Sequence, residues 1–340
     1  MTENVSAISY TNKDFQTIYP EILDLATRIS ERWTPDQSNE SDPGIVLAKI
    51  SAICADKNNY NIDKNVLECF PSSVTQMPNA REIYAQRGYY MHWYQSGTGK
   101  VSLSWIGDKS STSSITLKDK FVALTGNDDQ IVYTILPTSN LPIVCDGTST
   151  EFDVIQGVAK EYTTTSGSNV ITLEDIDSEN RIYFPNTSVA ENGIFIKRQD
   201  VTEFSLNGWK RVDNLDAQAL GQDIYEFGVS RDGSACYVEF PDDVAERIGD
   251  GINLWYIATD GLAGNIKPKY LTKFTGTVKG TQITESGTEE VDLSTDNISF
   301  SQADSVSNCK DYESIEEAYR GYKRTIGTFD TFVTLRDYDN

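Results

Sequence analysis

The first regular pattern along the chain is a helical stripe of apolar residues. Between residues 11 and 33 the large apolar side chains are three or four positions apart, at Phe15, Ile18, Ile22, Leu25, Ile29 and Trp33. This spacing places them on one side of a helix. Pro20 falls inside the stripe, and the residue before a proline is disfavoured in the α region. We therefore expect a short turn ending near Ile18 and a new helix that begins at Pro20.

A second helix is predicted to begin at Asp42, Pro43 and Gly44. The Asp42 carboxylate is suited to accept from the free amides of a helix start, and proline is favoured at the first helical position. The predicted helix covers residues 45–62 and is about 27 Å long at about 1.5 Å per residue. More than half of its circumference is covered by large apolar residues, namely Val46, Leu47, Ile50, Ile53, Cys54 and Tyr60.

Three alanines, Ala48, Ala52 and Ala55, cover most of the remaining surface of this second helix. A helix that is apolar nearly all round must be enclosed by neighbouring elements. The pattern leaves two alternatives open. The neighbours belong either to the same chain, as in the centre of a small domain, or to other chains.

A third helix completes the N-terminal region. Ser72 or Ser73 is predicted to cap it, and Gly88 is predicted to end it in the left-handed conformation. Its body carries Ala80, Ile83, Tyr84 and Arg87. Residues 1–95 are therefore predicted to be a helical bundle segment.

The pattern changes to period two after Gly97. Apolar and polar residues alternate over 101–105, which predicts a strand with one buried face. Similar runs recur at 114–117, 120–124, 131–136, 152–159, 170–173, 181–184, 193–197, 224–229, 235–240 and 252–259. Turn signals separate them, at Gly126-Asn127-Asp128, Asp146-Gly147, Glu191-Asn192-Gly193 and Asp232-Gly233. Many short strands without long helices between them predict one or two antiparallel β domains over 96–274.

The C-terminal part is predicted to contain a connector and a helix. Residues 275–312 are rich in Thr, Ser, Gly and Asp, which favours an extended connector or a weak sheet edge. In the last segment, 313–340, Ser314 and Glu317 form a capping box for a short helix with Ala318 and Tyr322 on one side. A further cap pattern at 334–337 leads us to expect another domain that is missing or truncated. The predicted fold class is α+β, with an N-terminal helical segment followed by antiparallel β domains and a short C-terminal helix.

Charge and composition exclude several kinds of partner. The chain has 51 acidic and 29 basic residues, a net charge of −22, so nucleic acid and anionic membranes would repel it. No apolar stretch approaches the roughly 20 residues of a membrane span, and the N-terminus does not resemble a signal peptide. The five widely spaced cysteines contain no CxxC pair and are interpreted as reduced. We expect folding in a cytoplasm.

The common catalytic and metal-binding patterns are missing from the sequence. His92 is the single histidine, which disfavours a histidine-based metal site or a serine triad and favours a structural role. Gly97-Thr98-Gly99-Lys100 lacks P-loop spacing and is interpreted as a hinge. The acidic run at 175–179 lacks the glycine and glutamate of a calcium loop and is interpreted as a solvated turn. We therefore predict a structural or binding protein, not an enzyme, with no cofactor and no metal.

Several motifs, in order, resemble one family. The N-terminal set is Trp33, Asp42-Pro43-Gly44, the long helix with Ala55-Asp56, then Asn79-Ala80-Arg81 and Arg87-Gly88-Tyr89. The later set is Phe240-Pro241-Asp242 followed by Gly249, the run from Tyr256 to Asn265, and Glu313 to Ala318 followed by Thr334 to Tyr338. Together they are similar to the baseplate wedge proteins of contractile phage tails, the baseplate J-like family. Residues 100–235 match poorly, and the glycine pair expected ahead of Glu313 is absent.

The resemblance implies a structural subunit of the virion, in the tail baseplate, assembled in the host cytoplasm. It implies that two copies join a smaller companion protein through their N-terminal helices to form a wedge. The wedges in turn contact neighbouring wedges, sheath-initiating proteins and hub proteins, and couple host attachment to sheath contraction. The interchain contacts would be Phe15, Ile22, Leu25, Ile29, Val46, Leu47, Ile50, Ile53 and Cys54.

Two other functions remain open at this point. Aromatic and acidic residues on β loops are also typical of a carbohydrate-binding or carbohydrate-cleaving protein of a tail or cell surface. A minor tail or adhesion protein of a non-contractile particle would have the same sequence features.

Overall fold

The structure, a computed structural model, describes residues 13–30, 32–35, 41–107, 112–117, 121–136, 142–201, 208–215, 221–230, 233–284 and 287–329. The fold is α+β, as predicted, with N-terminal helices, antiparallel sheets and a C-terminal helix. Two compact units are present, a helical unit within Met1–Tyr89 and Ile315–Asn340 and a β unit within Tyr90–Ser314. The cap pattern predicted at 334–337 lies outside the described residues.

The described residues form five α-helices, α1 (Phe15–Ile29), α2 (Pro43–Leu67), α3 (Met77–Ala85), α4 (Val244–Ile248) and α5 (Ile315–Phe329). They also form seventeen strands. These are β1 (Thr98–Trp105), β2 (Thr112–Leu117), β3 (Val122–Thr125), β4 (Val132–Ile135), β5 (Ile143–Val144), β6 (Ser149–Gln156), β7 (Val158–Glu161), β8 (Arg181–Tyr183), β9 (Val189–Arg198), β10 (Lys210–Val212), β11 (Ile224–Val229), β12 (Cys236–Glu239), β13 (Ile252–Ala258), β14 (Lys273–Phe274), β15 (Val278–Thr284), β16 (Gly287–Leu293) and β17 (Ile298–Ser301).

Helix α1 is continuous through Pro20, so the predicted break is wrong. Its first turn is held by a reciprocal cap, in which the Asp14 side chain accepts from the Thr17 amide and the Thr17 hydroxyl accepts from the Asp14 amide. Pro20 removes one intrahelical hydrogen bond, but this loss falls close to a helix start that is already stabilised. Burial of Ile18 and Leu23 on either side of the proline holds both parts in one helix.

Helix α2 begins where the sequence predicts and extends five residues beyond the predicted end, to Leu67. The Asp42 carboxylate accepts from the Gly44 amide at 2.8 Å, and Pro43 takes the first helical position. Gly44 is required by a close approach, since a Cβ there would lie 2.5 Å from the Trp33 ring.

The segment that leads into α3 is held by Glu68, which the sequence analysis missed. The residue before the helix is Gln76, whose side chain makes no capping hydrogen bond, so the predicted cap at Ser72 or Ser73 is wrong. The buried Glu68 carboxylate at the end of α2 accepts from the backbone amides of Thr75 and Gln76, at 3.1 Å each. Burial alone would raise the pKa of Glu68, but these bonds and those from the Thr75 hydroxyl and the Asn79 amide lower it below its ordinary value of 4.5.

The end of α3 agrees with the prediction. Gly88 has a φ of +79°, and the Tyr89 amide donates to the Tyr84 carbonyl across the turn. Within the helical unit α3 packs on α5, where the Tyr84 and Tyr322 rings lie 5.0 Å apart and Ala318 is fully buried.

The β unit contains four sheets around two main cores. A six-stranded sheet, β14-β3-β4-β6-β1-β17, and a four-stranded sheet, β16-β15-β2-β5, supply the first core, which includes Leu103, Ile115, Tyr133 and Leu293. A second four-stranded sheet, β10-β11-β12-β8, and a three-stranded sheet, β7-β13-β9, supply the other. Every strand pair is antiparallel except β10 with β11 among the described residues, so the purely antiparallel prediction needs that one correction.

The turn predicted at Glu191-Asn192-Gly193 is wrong, because these residues lie inside the ten-residue strand β9. Tertiary contacts satisfy the polar residues there, since the Asn192 side chain bonds both backbone groups of Ser96, at 3.0 and 2.8 Å. Gly193 permits a close approach, because a Cβ would lie 2.7 Å from Ile257. The strand predicted at 170–173 is a single bridge at Ile171 followed by a 3-10 turn.

Residues 275–312 do not form an extended connector. About half of this range is in β15, β16 and β17, and β16 and β17 lie at sheet edges, in agreement with the alternative prediction of a sheet edge. Several of its large apolar residues enter the first core, including Val278, Leu293 and Ile298, whereas Ile283 and Tyr312 are exposed. Such wide spacing hides the period-two pattern in the sequence.

We expect Glu68→Gln to destabilise the helical unit locally, by about 1–3 kcal/mol, because a carboxylate that accepts several bonds is replaced by a neutral amide. Hydrogen exchange of the α3 amides measures the change. Since the folded pKa lies below 4.5, this stabilisation is present above pH 4.5 and is lost as the pH falls through the folded value. Glu82→Gln, on the exposed side of α3, is the control, and equal effects from both variants would contradict this role of Glu68.

Candidate assembly surface

Helix α2 has two apolar faces that differ in the size of their side chains. Its buried face is narrow and consists of Ile45, Ala48 and Ala52. These residues pack on α1, where Leu23 is buried with them and Tyr19, Ile22 and Trp33 cover the edges. An antiparallel arrangement of the two helices follows, since Trp33 contacts Gly44 while Asn59 donates to the Lys13 carbonyl at 3.1 Å.

The large apolar residues of α2 face away from α1. Their exposed fractions are 39% for Val46, 65% for Leu47, 52% for Ile50 and 55% for Ile53, and Cys54 is also exposed. They form one continuous face at helical spacing, over the first half of the helix. Isolated exposed leucines are ordinary, but a contiguous apolar face on one helix is typical of an interaction surface.

The predicted contact residues of α1 separate into two groups. Leu25 and Ile29 are 57% and 78% exposed, whereas Phe15 and Ile22 are partly buried. Ile22 lies in the contact with α2, and Phe15 stacks on Tyr19 with ring centroids 5.5 Å apart. Leu25 and Ile29 therefore extend the apolar surface of the helical unit, while Ile22 and Phe15 contribute mainly to its interior.

The predicted contact residues did not include two exposed residues farther along α2. Tyr60, which the sequence analysis counted among the large apolar residues of this helix, is 66% exposed, and Ile62 is 49% exposed. The sequence analysis also did not predict that the alanine face of α2 packs on α1 and leaves the large apolar residues exposed. A helical projection shows which residues share a face, but it does not show which face contacts α1.

His92, which the sequence analysis considered for catalysis and metal binding, takes part in structural contacts. His92 is half exposed, and its Nδ1 lies 3.5 Å from the Glu191 carboxylate. Glu191 is buried and also accepts from the Trp93 amide at 3.0 Å and the Gln95 side chain at 2.6 Å, with Arg211 3.3 Å away. Burial would raise the pKa of Glu191, but these partners lower it to about 2.

These residues join two segments of the β unit. Residues 92–95 pair with 310–313, through the bridge between Gln95 and Lys310 and a bond from the Glu313 amide to the His92 carbonyl. The Trp93 and Tyr312 rings stack 5.2 Å apart beside them. The Gly97-Thr98-Gly99-Lys100 stretch runs directly into β1, and Asp175 ends a 3-10 turn.

The described residues were compared with the requirements of a metal site and of a membrane-spanning helix, and they meet neither. Among those residues no group of His, Cys, Asp and Glu side chains has an arrangement that would hold a metal ion. None of the described helices is long and apolar enough to cross a membrane.

Comparisons with known proteins leave the family open. No family profile matches the sequence, and no curated protein gives a significant match to it. Function is therefore inferred from the residues themselves and from the order of the motifs.

We expect Glu191→Gln to lower the pKa of His92. That pKa is raised above 6.5 mainly by the hydrogen bond to Glu191, with burial opposing it and Glu313 adding to it. Because His92 is the single histidine, proton NMR of its imidazole reports the titration directly. Glu151→Gln, at an exposed pair with Lys100, is the control.

The raised pKa of His92 decides in which pH range its pair with Glu191 stabilises the folded protein. The contribution of the His92 pair to folding is present below pH 6.5 and is lost as the pH rises through the folded value. An imidazole midpoint that Glu191→Gln leaves unchanged would refute the pairing.

Proposed function

We propose that this chain is a structural subunit of a baseplate wedge in a contractile phage tail. In this role it assembles through α1 and α2 and helps couple host attachment to sheath contraction. Its place is the virion, and no residue performs covalent chemistry. The observation that carries the proposal is the exposed apolar face of α2, which belongs to the segment whose motifs resemble the baseplate J-like family.

The exposed face has the character of an interchain helical contact. Apolar area removed from water stabilises an assembly by about 25 cal/mol per Å², and full burial of a Leu or Ile side chain contributes about 1.5–3 kcal/mol. Leu47, Ile50 and Ile53 each retain half or more of their surface for such burial. Their side chains point away from the α1 contact, so an added helix would bury them without disturbing the fold of the helical unit.

The proposed partners are other protein chains. They are a second copy of this chain and a smaller wedge companion, with neighbouring wedges, sheath-initiating proteins and hub proteins farther out. The net charge of −22 supports protein partners over nucleic acid or an anionic membrane. No enzymatic activity, cofactor or metal is part of the proposal.

We expect Ile50→Asp to block assembly while leaving the chain folded. The substitution places a charge in the middle of the apolar face, whereas in the free chain Ile50 is already half exposed and its loss should cost no more than about 1 kcal/mol. Co-expression with the proteins encoded nearby, cross-linking and sizing measure assembly, and circular dichroism measures folding. Ser51→Asp, one residue along on α2 and also exposed, should leave assembly intact.

Two results would count against the wedge proposal. One is an isolated monomer under all co-expression conditions. The other is an equal loss of assembly and folding in Ile50→Asp, which would mean that Ile50 serves the fold. A glycan array and a hydrolysis assay address the carbohydrate alternative, and a wedge subunit should be silent in both.

A further inference from the structure

The β unit begins and ends with two short segments that lie side by side. The chain enters this unit at Tyr90 and leaves it at Ser314. Just inside these limits, an incoming segment, residues 92–95, pairs with an outgoing segment, residues 310–313. We call this pair of segments the clasp. Because both covalent links to the rest of the chain start there, the clasp determines how far the two links can separate.

The clasp is a short and exposed pairing. The backbones of Gln95 and Lys310 exchange two hydrogen bonds, at 3.0 and 2.9 Å, and the Glu313 amide donates to the His92 carbonyl at 3.1 Å. Residues 310–312 are all exposed. Few backbone bonds and access to solvent are typical of segments that open locally while the rest of a domain stays folded.

His92 is the group of the clasp whose charge changes near neutral pH. Its Nδ1 lies 3.5 Å from the Glu191 carboxylate of β9, and its backbone amide donates to the Glu313 carboxylate of the outgoing segment at 3.2 Å. Arg211 of β10 lies 3.3 Å from the same Glu191 oxygen. The hydrogen bond to Glu191 and then the charges of Glu191 and Glu313 raise the pKa of His92, whereas burial and Lys310 lower it.

The outgoing segment contributes to this balance with both signs. The negative charge of Glu313 raises the pKa of His92 by more than the positive charge of Lys310 lowers it. The outgoing segment therefore favours the protonated imidazole. By linkage, the protonated imidazole must in turn favour the closed position of the outgoing segment.

Buried residues on both sides confine an opening to the outgoing segment. Cys309, directly before it, is buried, and its amide donates to the Asn265 side chain at 3.1 Å. Trp93 in the incoming segment belongs to the second main core. The Asp311 carboxylate accepts from the Leu262 amide at 2.8 Å, and this bond opens with the clasp.

We propose that protonation of His92 closes the clasp and that its deprotonation lets the outgoing segment open away from the incoming segment. The charged imidazole attracts Glu191 and Glu313 at once and so ties β9 to the outgoing segment. The neutral imidazole leaves these two carboxylates without a cation between them. The proposal goes beyond the wedge role and does not depend on it.

The direction of the pH dependence follows from the raised pKa of His92. The closed clasp is favoured while the imidazole is charged, and this advantage is lost as the pH rises through the folded pKa, which lies above 6.5. Mild acid therefore tightens the clasp and mild alkali loosens it.

The test measures opening of the clasp directly in the full chain. Hydrogen exchange of the Lys310 and Glu313 amides, which donate across the clasp, is followed from about pH 5.5 to about pH 8.5. Each rate is divided by the rate of an unprotected amide at the same pH, which gives a protection factor. The reference amides are those of Ile266 and Val306, which exchange two backbone bonds outside the clasp. Proton NMR of the His92 imidazole gives its titration midpoint.

We expect the protection of both clasp amides to be about twofold to fivefold higher at the acidic end, with the midpoint of the His92 imidazole. Ile266 and Val306 should keep constant protection. His92→Gln and Glu313→Gln should each abolish the pH dependence, because each removes one charge of the attractive pair. Lys310→Gln should enlarge it, because this variant removes the opposing cation and keeps the backbone bonds.

Three results would overturn the proposal. One is constant protection of the clasp amides across the His92 midpoint. Another is a pH dependence that survives in His92→Gln. The third is an equal change at Ile266 and Val306, which would mean that the whole β unit responds. None of these results bears on wedge assembly, which co-expression with the Ile50→Asp variant measures separately.

Discussion

The close contact between α1 and the small-residue face of α2 is the constraint on which the proposed function depends. Ala48 and Ala52 offer little side-chain bulk, so α1 packs near the backbone of α2, and Trp33 packs against Gly44 for the same reason. Once this narrow face is used inside the chain, the larger side chains of α2 must lie outside. The outer face of α2 is therefore apolar because α1 covers the opposite side of the helix.

Buried carboxylates stabilise both units by a common principle. Glu68 holds the residues that lead into α3, and Glu191 in β9 holds residues 92–95, each through several donors to one carboxylate. Burial of a charge is unfavourable, but enough hydrogen bonds reverse its effect and lower the pKa of both groups. Both carboxylates therefore join segments that are separate in sequence, in contacts that stabilise the fold.

The outer face of α2 is apolar and continuous over the first half of the helix, where Leu47, Ile50 and Ile53 are each half or more exposed. In the proposed wedge this face would supply free energy of association, because a partner helix would remove its apolar area from water.

The sequence by itself determined the start of α2, the end of α3, the α+β class and which residues of each helix share an apolar face. Asp42-Pro43-Gly44 and Gly88 act through local backbone geometry, and the spacing of apolar residues reports a period that each helix or strand must satisfy. Tertiary structure decided what local rules could not express. Pro20 stayed inside α1 because its neighbours are buried, and Glu191-Asn192-Gly193 became part of β9 because distant residues satisfy its polar groups. Glu68, and not a serine, holds the residues that lead into α3, and strands formed within 275–312 from widely spaced apolar residues. The face of α2 that α1 covers was decided by packing between helices, since a helix with two apolar faces buries the one whose side chains permit the closest approach.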